Sequence, residues 1–181
     1  MKKLIILFVV FATLASFNST INAQSNAKVT TTVGAVLIVP MSLNQTSPLH
    51  FGTITLISAA AGTCILSTAG VRTFTGGLGI STLPPLATNA VYTLSGKSNA
   101  NYSITLPATT TISIGASVAA NDKMTVSAFT ARFTGAPADA ITSKLSATGT
   151  DGITIGATLT SIGSQNPGVY AGTFDLSIDY N

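Results

Sequence analysis

The feature that most limits what this chain can fold into is its closing stretch, residues 168–181. From Tyr170 to Tyr180 polarity alternates without a break. Tyr170, Gly172, Phe174, Leu176, Ile178 and Tyr180 share one face, and Ala171, Thr173, Asp175, Ser177 and Asp179 share the other. A period of two puts alternate side chains on opposite faces of a β-strand, one buried and one wet. Both aspartates lie on the wet set, so a slip of one residue would bury two charges; the register is therefore fixed.

The same grammar recurs along the chain. Extended segments are expected at 29–39, 62–67, 71–75, 90–95, 102–106, 110–114, 123–130, 141–147, 153–160 and 170–180, with short apolar pieces around His50. Residues 62–67 and 71–75 read as one hairpin, and 90–95 with 102–106 as a second. Asp151-Gly152 reads as a tight turn between 141–147 and 153–160. Turn residues return every 8–15 positions or so, the pattern of a β-sandwich or barrel. No segment after residue 23 has a helical period; 116–120 could hold one helical turn. The fold class expected is all-β, an immunoglobulin-like, pilin-like antiparallel sandwich. One internal echo, 112–118 against 153–159, is read as shared strand grammar rather than duplication.

Residues 1–23 have another character. Lys2 and Lys3 precede an uncharged apolar run at 4–17, and Ala23 supplies the small residue at a cleavage point before Gln24. This is the plan of a secretory signal peptide, and the run is shorter than the roughly 20 residues of a membrane span. The expected product is one sandwich domain over 24–181, exported to the periplasm, the outer cell surface or the medium, with no membrane span.

Charged residues are only 7% of the chain, against about 25% in an ordinary soluble domain. After residue 23, six basic residues face five aspartates, and glutamate is absent. That balance gives no electrostatic reason for a nucleic-acid partner. It also removes the usual means of keeping strand edges apart, because charge is what blunts an edge. Either the edges are covered or edge pairing is what the protein does.

Chemistry is sparse. His50 is the single histidine, no nucleophile elbow surrounds a serine, and Cys64 has no second cysteine to bridge to. Asp122, Asp139 and Asp151 lie in or near turn signals, where aspartate bonds to the backbone. No clustered His, Cys, Asp or Glu suggests a metal. The expectation is no enzyme, no cofactor and no metal.

Several segments in order carry a resemblance: Leu49-His50-Phe51-Gly52-Thr53-Ile54, Tyr102-Ser103-Ile104-Thr105-Leu106-Pro107, Met124-Thr125-Val126-Ser127-Ala128-Phe129, and Pro167-Gly168-Val169-Tyr170-Ala171-Gly172-Thr173-Phe174 through Tyr180-Asn181. Together they resemble bacterial secreted domains of unknown function, family 4402. The closing stretch is also similar to subunits of chaperone–usher pili and spore-coat-U-like proteins, which have a penultimate tyrosine, here Tyr180, and a glycine fourteen residues from the end, here Gly168. That resemblance implies a sandwich lacking one strand, completed by a neighbour's N-terminal segment through β-strand addition. The paired cysteines of those pilins are absent here.

The functional expectation is an exported, non-enzymatic surface structural or adhesive protein, a fimbria-like subunit. Val29, Thr31, Val33, Leu37 and Val39 would be the donated face. Gly168, Phe174, Leu176, Ile178 and Tyr180 would flank the acceptor groove. The partners would be its own kind or other surface subunits, with a periplasmic chaperone and an outer-membrane usher. The competing reading is a self-complete secreted module that binds carbohydrate or protein through the loop at 76–88.

Overall fold

The computed structural model describes residues 28–181, so the cleavage point between Ala23 and Gln24 lies outside the described residues. They divide into a lead, 28–36, and a body, 37–181. The lead contains no strand.

The body is an all-β antiparallel sandwich. Its strands are β1 (Ser42–Ser47), β2 (Ile54–Leu56), β3 (Gly62–Leu66), β4 (Arg72–Gly76), β5 (Leu78–Ile80), β6 (Ala90–Ser95), β7 (Asn101–Thr105), β8 (Thr109–Ile114), β9 (Lys123–Phe133), β10 (Thr142–Lys144), β11 (Thr150–Ser161), β12 (Tyr170–Ala171) and β13 (Ser177–Tyr180). The large sheet runs β1-β6-β11-β9-β8-β12, with the β3–β4 hairpin also joined to β11. A small sheet, β10-β7-β13, and a two-stranded ribbon, β2-β5, complete the fold. Among the described residues no helix is long and apolar enough to cross a membrane.

The long strand β11 is the axis. Its inward residues Ile153, Ile155, Ala157 and Leu159 are all buried. On one flank it pairs with β9 along most of its length. On the other flank its first half pairs with β6 and its second half with β3, so those two strands abut end to end. Gly156 sits at the junction, where a Cβ would stand 2.5 Å from Leu66 O; any side chain would push the β3 end away. The Asn89 amide closes the same seam, donating to Ser67 O at 2.8 Å and Ile155 O at 2.9 Å.

The core has two parts. One cluster includes Tyr92, Leu94, Tyr102, Ile104, Phe133, Leu145, Ile153 and Ile155; the other includes Phe51, Cys64, Leu66, Leu78, Val126 and Leu159. Phe129 touches both. It reaches them from a bulge in β9, where Ala128 takes φ 48° and the register against β11 shifts. An alanine in the left-handed region costs about 1–2 kcal/mol; packing of Phe129 against both clusters offsets it.

Several sequence expectations are corrected by the pairing. Residues 29–39 form no strand, and the first strand begins only after Pro40. A period of two shows that a segment is compatible with a sheet, not that a partner is present. The segments 90–95 and 102–106 are not a hairpin. Strand β6 belongs to the large sheet and β7 to the small one, and both send their apolar residues into the same cluster. Their turn-rich link is an arch across the sandwich. Asp151-Gly152 is not a turn but part of β11; the reversal falls at 146–150, where Gly149 has φ 76° and Ser146 N donates to Thr150 O at 3.0 Å. The helical turn lies at Ala120–Asp122 rather than 116–120. The two halves of the internal echo occupy unlike places, one ending β8 and one in the middle of β11.

Candidate strand-pairing site

The closing stretch keeps its alternation of burial but not a single sheet. Phe174, Leu176 and Ile178 are half-buried while Thr173, Asp175, Ser177 and Asp179 are exposed. The expectation of one unbroken strand is corrected: β12 pairs with β8 in the large sheet, and β13 pairs with β7 in the small one. Residues 101–114 make the same crossing between sheets, and 170–180 run antiparallel beside them. At both ends the closing stretch is the outermost strand of its sheet.

Among the described residues strand β1 is also an edge, paired only with β6. The two edges feed one core cluster: Met41 and Leu43 from the β1 side, and Phe174, Leu176 and Ile178 from the closing stretch, all partly buried. Tyr180 joins them. Its hydroxyl donates to Val39 O at 3.0 Å and accepts from Lys97 N at 2.7 Å. The penultimate tyrosine thus ties the end of β13 to the chain just ahead of β1 and to the β6–β7 arch.

The candidate donor residues are placed differently. Val29, Thr31 and Val33 are exposed and belong to no strand. Leu37 is 92% exposed and Val39 52%, again outside any strand. Gly168 lies in the loop before β12, against Ile114. Polarity alone does not reveal the role of the Tyr170 hydroxyl, whose one proton is shared between Asn166 O at 2.7 Å and Asn121 O at 2.9 Å. The Asn121 contact ties the start of the closing stretch to the helical turn ahead of β9, and the Asn166 contact closes the loop before β12.

The remaining reactive groups are held locally. His50 Nδ1 accepts from Gly52 N at 2.8 Å, a short-range turn bond. Cys64 is buried, and that burial pushes its thiol up to about 11 despite the opposing charge of Arg72. Asp151 Oδ2 accepts from Tyr102 Oη at 2.7 Å and Ser143 Oγ at 3.0 Å, linking β11 to both β7 and β10. Burial first, and then the Asp151 bond, raises the Tyr102 phenol. For Asp139, burial acts upward, but bonds from Thr68 and Arg132 and the Arg132 charge outweigh it and hold the carboxyl below its usual range. Asp122 is lowered by bonds from Ser117 and Asn166. Among the described residues no group of three or more His, Cys, Asp or Glu is placed to hold a metal.

The profile of one protein family, a domain of unknown function (DUF4402), matches residues 41–180. The chain belongs to the DUF4402 family. The matched span opens one residue before β1 and closes within β13, so it coincides with the paired sheets and leaves 28–40 outside. Of the segments that carried the resemblance, Phe51, Tyr102, Ile104 and Val126 are core residues; the DUF4402 likeness is in large part a likeness of the core. No curated protein and no solved structure matches the chain.

Proposed function

We propose that this DUF4402 protein is an exported, non-enzymatic structural or adhesive subunit of the cell surface, and that residues 28–39 pair as an added strand with an edge of another subunit. One observation carries this reading. A segment with strand alternation and exposed aliphatic side chains, Val29, Val33, Val36, Leu37, Ile38 and Val39, belongs to no sheet and lies outside the family match. Burying one such side chain is worth roughly 1.5–3 kcal/mol, so covering even half of them drives association strongly. The body offers complementary ground in the edges of β13 and β1, which have no further partner among the described residues, and in the half-buried Phe174, Leu176 and Ile178. In strand addition, main-chain bonds supply affinity and alternate side chains supply specificity.

The leader at 1–23 supports export, and the closing-strand resemblance supports delivery by a periplasmic chaperone and an outer-membrane usher. The competing reading, a self-complete module binding carbohydrate or protein through 76–88, has Leu83 and Leu86 in its favour, both more than 60% exposed. The two separate on an unboiled denaturing gel of the full chain beside a form lacking 24–39. Strand addition predicts a ladder that the deletion removes. A full chain that stays monomeric at every concentration sinks it and leaves the module.

A further inference from the structure

The outer face of the large sheet carries a second pattern, independent of its edges. Across β4, β3, β11, β9 and β8, the residues in one register row are Thr75, Thr63, Thr160, Thr125 and Thr111. The row two residues along is Thr73, Ile65, Thr158, Ser127 and Thr109. Their intervening neighbours Cys64, Leu159 and Val126 are buried, so both rows point outward. The bulge at Ala128 begins just beyond Ser127 and leaves the rows aligned.

Nine of these ten positions bear a hydroxyl, eight of them on threonine, and none bears a charge or an aromatic ring. Hydroxyls therefore repeat about 4.8 Å apart across strands and about 6.7 Å apart along them. At least one contact is close enough to order the row: Thr63 Oγ1 and Thr75 Oγ1 are 2.6 Å apart.

A ligand for this face must itself be an uncharged lattice of hydrogen-bonding groups with nearly the strand spacing. A sugar chain fits poorly, because the ten positions offer no aromatic ring for a sugar to stack on. Water in a crystal fits better. The oxygen rows of ice repeat close to the strand spacing, and threonine offers both a hydroxyl to join them and a methyl to hold the side chain still. We propose that the outer face of β4-β3-β11-β9-β8 binds ice. Sheet twist of about 20–25° per strand confines a planar contact to the central strands, so Thr63, Thr160 and Thr125 carry most of it.

The full chain is tested for incorporation into slowly growing polycrystalline ice and for a gap between freezing and melting points. Incorporation and a measurable gap are expected. Thr160→Tyr or Thr125→Tyr, at the middle of the first row, abolishes both. Thr111→Tyr, at the row's end and exposed, reduces them less and serves if a central variant does not fold. Thr55→Tyr, on β2 and off the rows, leaves them unchanged. Exclusion of the full chain from ice overturns the proposal, as does incorporation that survives the central substitutions. Retention on an insoluble neutral polysaccharide, lost in Thr160→Tyr and joined to exclusion from ice, also overturns it and gives the face to a glycan.

Discussion

Residues 29–39 and residues 170–180 are alike as sequence and unlike as structure. Both alternate, both end near a sheet edge in the chain order, and both contain aliphatic residues on the repeating face. Yet the second is divided between two sheets with its apolar residues half-buried, and the first is in no sheet with its apolar residues exposed. The difference teaches that alternation encodes readiness to pair. Membership in a sheet also needs a partner strand bonded in register. The closing stretch finds β8 and then β7. Residues 29–39, among the described residues, are assigned to no strand.

The comparison can be broken most directly by placing a charge in each segment. Ile178→Asp puts a carboxylate against the first core cluster and should lower unfolding free energy by about 3 kcal/mol, read by urea denaturation. Val33→Asp should change it by no more than about 0.5 kcal/mol, as for an exposed position without structural partners, while it weakens self-association on the unboiled gel. Equal destabilisation by the two substitutions would show that the lead is part of the fold.

A smaller contrast comes from alkaline pH. Residues 28–39 contain no thiol or phenol, whereas the body holds the buried Cys64 thiol, raised from 9.0 to about 11. A raised folded value means stability is full below pH 9 and falls as pH climbs through about 11. Thermal melts between pH 8 and 11 should show this loss, and Cys64→Ala should remove its share of the slope.

Tyr180→Phe tests the point where the two segments meet. It removes the bonds to Val39 O and Lys97 N and should cost about 1 kcal/mol. Amide exchange should quicken at Lys97, whose N–H loses its acceptor. The smallest effect is expected in acid. Asp139, held below 3.8 in the folded state, contributes stability that is complete above that value and is lost only as pH falls through its lower folded value. Arg132→Leu should move the Asp139 carboxyl titration, followed by NMR, back upward.

Much of the fold was legible because strand grammar is local. The β3–β4 hairpin, the buried alternation of β11 and the outward aspartates of the closing stretch follow from polarity alone. The Asp151 misreading shows where locality fails. Asp-Gly is a common turn pair, but here the carboxylate serves Tyr102, 49 residues away, and no window around Asp151 contains that tyrosine. The β6–β7 arch fails for the same reason, since a turn-rich link serves a hairpin and an arch equally well.

By itself, then, the sequence determined that this protein is built of strands, that the closing stretch turns its aspartates outward, and that its surface is nearly free of charge. These are properties of a residue and its near neighbours. Only the tertiary structure decided which edges stay open, that β6 and β3 share one flank of β11, that the closing stretch changes sheets, and that threonines from five strands fall into one row. Each of these is a matter of pairing between distant segments. A strand's backbone bonds equally well to any partner in register, so the choice among partners is fixed by how the whole core packs.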